Sequence, residues 1–249
     1  MTRDTDHFSQ YSGDYAQYRP GYPEELFSLL ARECAHHELA WDCGTGNGQA
    51  ARALARHFER VLATDLSREQ ISAATGADNI TWRAAPAEES GLPAQGTDLI
   101  TVAQALHWFD LDAFFDEARR VLRPGGLLAV WSYGLAEITP EVDAVIRELY
   151  HNRVGPWWPP ERAMVEDGYA SIRMPFPELD VPALHMSRSW NLSELVGYLR
   201  TWSAVQRFLK ERGEDPVFTL EAALERAWGD PGNRHTVRWP LSLRVARRP

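Results

Sequence analysis

Residues 39–49 read LAWDCGTGNGQ, a short apolar run followed by Asp42 and by glycines at 44, 46 and 48. Glycine has no Cβ atom, so the chain can turn sharply from a strand into a helix and a ligand can approach the backbone. The following QAARALARHF, residues 49–58, places its apolar side chains at helical spacing. The stretch therefore predicts a ligand that lies over the exposed N–H groups at the start of a helix.

The spacing of the glycines limits the choice of ligand. A dinucleotide-binding loop has the pattern G-x-G-x-x-G, whereas Gln49 occupies the third glycine position here. Asp42 would repel a diphosphate, but its charge would attract a cationic amino group, directly or through water. Asp65 ends the next strand, 17 residues beyond Gly48, and suits the two hydroxyls of a ribose. A nicotinamide dinucleotide would accept that carboxylate too, so Asp65 supports a ribose-bearing ligand without choosing between them.

Strand-like runs alternate with helical patterns through the first half of the chain, which favours an α/β fold with a parallel sheet. The predicted strands cover residues 39–42, 60–65, 80–84, 98–103, 126–133, 183–190 and 236–245. Predicted helices cover 49–58, 140–150, 192–212 and 220–228, with two more that are capped by Ser67 and by Asp110 or Asp112. We expect one domain over 1–249, with a lid at 138–212 that contains the turn-rich GPWWPP at 155–160.

Composition and charge exclude several classes of protein. The net charge of −9 and the pI of about 5.4 argue against a sequence-independent grip on nucleic acid. The two cysteines indicate neither a disulfide framework nor a zinc site, and no metal is expected. No signal peptide and no run of about 20 apolar residues is present, so we expect a cytoplasmic protein that is not in a membrane.

Four segments in order resemble class I S-adenosylmethionine-dependent methyltransferases of the type 11 group. They are WDCGTGNG at 41–48, Asp65, DLITVAQALHWF at 98–109 and RVLRPGG at 120–126. YAQYRPGYP at 15–23 and TWSA at 201–204 are similar to the small-molecule branch that includes trans-aconitate methyltransferase-like proteins. The resemblance implies a Rossmann-like, seven-stranded, mostly parallel sheet. It also implies an antiparallel last strand beside the fifth, helices on both faces and a helical lid.

The resemblance also implies S-adenosylmethionine as cofactor and S-adenosylhomocysteine as its product. The glycine loop would admit the methionine part, Asp65 the ribose, and Leu66 would lie against the adenine. Pro86 stands where the family often has an acidic residue, so backbone at Ala87, or Glu88, would replace that contact. The main-chain carbonyl of Gln104 would bind the methionine ammonium. The full predicted cofactor set is Tyr18, Arg19, Asp42, Gly44, Thr45, Gly46, Gly48, Asp65, Leu66, Ala87, Glu88 and Gln104.

The N-terminal segment 1–30 is expected to cover the cofactor. Tyr18 and Arg19 would close that segment, with Arg19 paired to the methionine carboxylate. An arginine on a solvated surface is an equally good interpretation of Arg19.

Methyl transfer from a sulfonium needs a positioned acceptor more than a catalytic triad. A carboxylate acceptor is already ionised and needs no base, whereas a hydroxyl does. His107 follows the fourth strand, at the edge where α/β sheets bind ligands, and is the candidate catalytic base; a packing role is the alternative. Aromatic and basic side chains near predicted loops are the candidate acceptor contacts: Trp108, Arg153, Trp157, Trp158, Arg173 and Trp202.

The sequence therefore predicts methyl transfer to an oxygen of a small molecule, with nitrogen or carbon as less favoured acceptors. Two alternatives from other classes are a nicotinamide-dependent oxidoreductase and a non-catalytic protein that binds S-adenosylmethionine. The acceptor and the oligomeric state stay open.

Overall fold

A computed structural model of the chain describes Tyr18 and residues 20–249. These residues form two compact units. The larger unit contains Gly21–Gly134, Ala163–Leu184 and Leu241–Pro249. The smaller unit contains Tyr18, Pro20, Leu135–Arg162 and His185–Pro240. The single domain over 1–249, the covering segment at 1–30 and the lid at 138–212 stay predictions.

Seven strands in the described part of the chain form one sheet. They are β1 (Leu39–Cys43), β2 (Arg60–Asp65), β3 (Ile80–Ala84), β4 (Thr97–Ala103), β5 (Leu122–Tyr133), β6 (Leu184–Trp190) and β7 (His235–Arg247). Their order is β3-β2-β1-β4-β5-β7-β6. β1 to β5 pair in parallel, and β7 runs antiparallel to β5 with Tyr133 opposite Leu241. The mostly parallel sheet and the antiparallel last strand beside the fifth are confirmed.

The helices of the described residues lie between these strands and after them. They are α1 (Glu24–Glu33), α2 (Gln49–Leu54), α3 (Arg68–Ala73), α4 (Leu111–Val121), α5 (Pro140–Arg147), α6 (Arg162–Glu166), α7 (Leu192–Arg200), α8 (Ser203–Arg212) and α9 (Glu221–Trp228). Two predicted caps are confirmed: Ser67 accepts a hydrogen bond from the N–H of Gln70, and Asp110 from that of Ala113.

The burial of the central strands explains why they could be predicted from apolar runs in the sequence. All five residues of β1 are buried, as is typical of a parallel strand covered on both faces. Trp41 is fully buried in β1, and its indole N–H donates to the hydroxyl of Thr64 on β2 at 2.8 Å. The polar atom of this large side chain is therefore satisfied inside the core.

Three of the predicted helices were wrong in extent. The helix expected at 49–58 ends at Leu54, and turns follow it. The helix expected at 192–212 is broken between α7 and α8, where Trp202 has an extended backbone with φ −67° and ψ 134°. The break is stabilised by side chains: the hydroxyl of Thr201 donates to the carbonyl of Tyr198, and Gln206 Nε2 donates to that of Arg200. The helix expected at 140–150 becomes α5 followed by a π-helical segment, Glu148–Arg153. The spacing of apolar residues in the sequence does not predict where these helices end or change type.

A buried carboxylate fixes the end of the sheet where β1 and β4 begin. Asp98 is 2 % exposed, and its Oδ2 accepts hydrogen bonds from the N–H groups of Glu38 at 2.8 Å and Leu39 at 2.9 Å. The Nε atom of Arg123 lies 2.9 Å from Oδ1 and forms an ion pair with it. Asp98 therefore joins three segments of the larger unit.

Replacing Asp98 with alanine should lower the free energy of unfolding by about 3 kcal/mol, because the Nε atom of Arg123 loses its ion-pair partner and two N–H groups lose their acceptor. Urea denaturation at neutral pH measures the change. Asp116→Ala is the matched control, since its ion pair with Arg119 is exposed and should contribute less than about 0.5 kcal/mol. Equal losses in the two variants would contradict the proposed role of Asp98.

No helix among the described residues is long and apolar enough to cross a bilayer.

Candidate functional site

The glycine loop between β1 and α2 has left-handed backbone at Gly44, Gly46 and Gly48, with φ of 69°, 53° and 83°. A Cβ atom at Gly44 would lie 2.6 Å from that of Ala105, and one at Gly48 would lie 2.3 Å from the ring of Trp82. At Gly46, by contrast, no atom of the described residues lies within 4 Å of the Cβ position. The first and last glycines allow close packing, and the middle one leaves open space over the loop.

The carboxylate of Asp65 connects this loop to the end of β2. Its Oδ2 accepts a hydrogen bond from the N–H of Gly46 and its Oδ1 accepts one from the N–H of Ser67, both at 2.9 Å. Each oxygen is thereby fixed in position and still has a lone pair for a further donor. The next residue, Leu66, is 63 % exposed.

Asp42 lies beneath the loop and is fully buried. Its oxygens accept hydrogen bonds from the hydroxyl of Thr45 at 2.5 Å and from that of Thr101 at 2.7 Å. Burial raises the pKa of Asp42 from 3.8 to about 6, although the two threonine hydrogen bonds oppose that shift. In this geometry Asp42 joins the loop to β4, and its predicted attraction for a cationic group, directly or through water, stays a prediction.

Gln104 directly follows β4 and has a left-handed backbone, φ 57°, a conformation that costs energy for a residue other than glycine. Hydrogen bonds between its side chain and the backbone of Tyr133, at the end of β5, offset that cost. Oε1 accepts from the N–H of Tyr133 at 2.8 Å, and Nε2 donates to the carbonyl at 3.3 Å. The side chain is thus a loop anchor, and the predicted contact from its main-chain carbonyl stays a prediction.

Ala87 and Glu88 lie in the connection that follows β3. Ala87 is buried. Glu88 accepts a hydrogen bond from the N–H of Asp110 at 3.0 Å, directly before α4. Its carboxylate is therefore held at the edge of the sheet where the glycine loop lies, and its predicted role towards the adenine stays a prediction.

His107 lies in a 3-10 turn, Leu106–Trp108, directly after β4. The ring is buried, and its Nδ1 lies 3.0 Å from the hydroxyl oxygen of Tyr169. Trp108, the predicted acceptor contact beside it, is 40 % exposed. Tyr169 is absent from the predicted site, because 62 residues separate it from His107 and no motif in the sequence joins them.

Arg173 is also in the larger unit and is exposed. It borders a groove of about 540 Å³ beside α4. The groove is lined by Leu111, Asp112, Phe115, Arg119, Met164, Ser171, Ile172, Arg173, Met174 and Pro175.

The predicted aromatic contacts at 157, 158 and 202 belong to the smaller unit and pack there. The indole N–H of Trp157 donates to Glu211 at 2.8 Å, and its ring lies 4.6 Å from that of Phe208. The guanidinium of Arg153 also lies over Phe208. These contacts favour a structural role for Trp157 and Arg153, and their predicted contact with an acceptor stays a prediction.

Trp158 and Trp202 form one aromatic cluster with Tyr150. The guanidinium of Arg162 covers Trp158 at 4.8 Å from the ring centroid, and the indole N–H of Trp158 donates to the carbonyl of Tyr150. Trp202 is buried, with its ring 5.6 Å from Tyr150 and 5.8 Å from Trp158. The faces of both tryptophans are thus used within the smaller unit.

Of the predicted N-terminal pair, only Tyr18 is described. Its ring lies against α7, where a Cβ atom at Gly197 would come within 2.7 Å of it. Arg19 lies outside the described residues, so its predicted pairing stays a prediction.

The predicted cofactor residues of the larger unit thus lie at or just beyond the carboxyl ends of β1, β2, β3 and β4. That is where open α/β sheets bind ligands. Residues 41–130 match the family model described as a methyltransferase domain. A candidate methyltransferase of Dictyostelium discoideum is 37% identical over 231 residues, which are 91% of this chain and 88% of that protein. The chain belongs to the class I methyltransferases.

A solved structure and a second relative agree with this assignment. The structure of a candidate type II methyltransferase from Anaeromyxobacter dehalogenans is 45% identical, with a TM-score of 0.87, and the match covers 92% of this chain and 98% of that one. A methyltransferase of Pestalotiopsis fici is 31% identical over 156 residues, which span 55% of this chain and 46% of that protein. The predicted family, the Rossmann-like fold and the methyltransferase activity are confirmed, whereas the trans-aconitate branch stays a prediction.

Asp42 should make stability depend on pH in a particular direction. Because its pKa is higher in the folded protein, the folded state binds more protons than the unfolded state between about pH 4 and about pH 6. The contribution of Asp42 to the free energy of unfolding therefore falls by about 3 kcal/mol as pH rises through that window.

Urea denaturation of wild type and Asp42→Asn at several pH values tests this expectation. The stability of the variant relative to wild type should rise from pH 4 to pH 6 and then level off. The exposed Asp112→Asn serves as control and should give a difference that is flat with pH. A flat difference for Asp42→Asn as well would contradict the raised pKa.

Proposed function

We propose that the larger unit binds S-adenosylmethionine through the glycine loop and the carboxylate of Asp65. The observation that carries this proposal is the open space above Gly46 beside a carboxylate that two N–H groups hold in place. The lone pairs left on Asp65 fit two ribose hydroxyls. The exposed Leu66 supports an apolar contact with the adenine, because such a contact would remove its side chain from water.

The remaining contacts of the cofactor follow from the same edge of the sheet. The strained backbone at Gln104 supports a contact between its carbonyl and the methionine ammonium. Backbone at Ala87, or Glu88, would meet the adenine. When bound, S-adenosylmethionine supplies an electrophilic methyl group on a sulfonium. The residues of the chain bind it, orient it and keep the acceptor in line.

We further propose that the acceptor is an oxygen of a small molecule, a carboxylate or a hydroxyl, and that His107 meets that oxygen. The position of His107 directly after β4 supports this role, since ligands of α/β sheets bind at that edge. A hydroxyl acceptor would need a base, and His107 is the candidate for it. A carboxylate would need only to be held.

Calorimetry with S-adenosylhomocysteine tests the cofactor site. Asp65→Asn should weaken binding at least about tenfold, because the amide cannot accept from both hydroxyls and both N–H groups. Asp78→Asn is the matched control, since Asp78 is an exposed aspartate of the same unit, and it should bind as wild type does. If wild type gives no heat with either S-adenosylhomocysteine or S-adenosylmethionine, the proposal is wrong.

A screen of metabolite pools with radiolabelled S-adenosylmethionine identifies the acceptor. With that acceptor, His107→Ala should lower turnover roughly 100-fold, because the acceptor oxygen loses the group that positions it or, for a hydroxyl, takes its proton. The affinity for S-adenosylhomocysteine should change less than about twofold, because His107 contacts the acceptor and not the cofactor. An equal loss of turnover and of cofactor affinity would indicate that His107 only packs.

A further inference from the structure

Tyr169 belongs to the larger unit and has no role in the proposed function. Its side chain is fully buried and its backbone is left-handed, with φ 64°. A bulky residue rarely adopts this conformation, and the strain persists only where the surroundings impose it. Its hydroxyl oxygen lies 3.0 Å from Nδ1 of His107, and the two rings are nearly parallel, at 29°.

The surroundings of Tyr169 do impose that conformation. The guanidinium of Arg244 on β7 donates to the carbonyl of Tyr169, and to that of Ile172 at 2.7 Å. The same guanidinium forms two hydrogen bonds with the carboxylate of Glu178, at 2.7 and 2.8 Å. These hydrogen bonds lower the pKa of Glu178, so the pair stays charged at neutral pH.

The residue before Tyr169 adds a second constraint. Gly168 also has a left-handed backbone, φ 65°, and a Cβ atom there would lie 2.6 Å from the hydroxyl of Ser242. The chain therefore passes directly over β7 at this point. The backbone of Tyr169 is thus held by Arg244 and by the close approach at Gly168, and its fully buried phenol lies against His107.

The chemistry of the two groups favours one direction for their hydrogen bond. A neutral imidazole has one nitrogen that donates and one that accepts. The accepting nitrogen of imidazole is a stronger base than a phenol oxygen, and a phenol hydroxyl is a good donor that keeps its proton to about pH 10. The favoured arrangement thus has the Tyr169 hydroxyl donating to Nδ1, which leaves the proton of His107 on Nε2.

We propose that Tyr169 is a positioning residue that holds His107 as its Nε2–H tautomer. In that state His107 is a neutral hydrogen-bond donor and not a base. Together with the proposed function, on which this step rests, the tautomer selects an acceptor oxygen that is ionised before it binds, such as a carboxylate.

Methyl transfer to a carboxylate then needs no base. A lone pair of the carboxylate oxygen forms the new bond to the methyl carbon, and the electrons of the broken carbon–sulfur bond return to sulfur. No proton has to leave. The Nε2–H group of His107 orients the carboxylate by a hydrogen bond. A hydroxyl acceptor would lose a proton in the same step, and this tautomer of His107 does not take it.

The tautomer can be measured without knowing the acceptor. Long-range ¹H–¹⁵N correlation spectra of the ¹⁵N-labelled full chain at neutral pH distinguish a protonated from an unprotonated ring nitrogen. The chain has eight histidines, so comparison with His107→Gln assigns the signals of His107. We expect Nε2 protonated and Nδ1 unprotonated. A proton on Nδ1 would overturn the proposal, and this result needs no variant at position 169.

Tyr169→Phe removes only the hydroxyl and should release the tautomer, so that both forms of His107 become populated. The same single tautomer in this variant would show that Tyr169 does not set it. The matched control is Tyr198→Phe, which loses another buried hydroxyl, one that accepts from the indole of Trp239 at 3.1 Å. That variant should leave the spectrum of His107 unchanged.

The acceptor class has its own readout. Pooled carboxylic acids and pooled alcohols and phenols are incubated separately with wild type and S-[methyl-¹⁴C]adenosylmethionine. Label in methyl esters, which mild alkali releases as methanol, is the expected result. Label in alkali-stable ethers would overturn the assignment of the acceptor class. Calorimetry with S-adenosylhomocysteine reports separately on the cofactor site, so failure of the proposed function is distinguishable from failure of this inference.

Discussion

The candidate site depends on the hydrogen bonds that the carboxylate of Asp65 accepts. It accepts from the N–H of Gly46 in one loop and from that of Ser67 in the next, so two connections at the same edge of the sheet are held by one side chain. Such hydrogen bonds to a charged acceptor are stronger than those between neutral groups. Without them the glycine loop would keep its conformational freedom, and a ligand would have to restrict it on binding.

Most of the polar side chains that support this edge of the larger unit form hydrogen bonds with the backbone or with hydroxyl groups. Asp42 is held by two threonines, and Gln104 pairs with the backbone of Tyr133 as though it continued the sheet. Buried polar networks of this kind fix one arrangement, because each unmade hydrogen bond would carry a desolvation cost. Hydrogen bonds within the chain therefore hold this edge in one arrangement.

Features set by local pattern could be predicted from the sequence, and those set by distant contacts could not. The strands and the caps at Ser67 and Asp110 depend on apolar runs and on side chains within one turn, and these were predicted. The break at Trp202 depends on side-chain hydrogen bonds that no periodicity records. The partnership of His107 with Tyr169 depends on contacts with β7, and the covering of Trp158 by Arg162 depends on how the smaller unit folds.

The attachment of Tyr169 to β7 has a consequence for the evolution of the chain. The strained backbone at Tyr169 is held by Arg244, which is in turn paired with Glu178. The preceding residue can approach Ser242 only because glycine has no Cβ atom. A lineage that lost the arginine would relax this turn and with it the reason to keep an aromatic hydroxyl there. Positions 169, 178 and 244 should consequently vary as a group among relatives, even though only the first of them contacts His107.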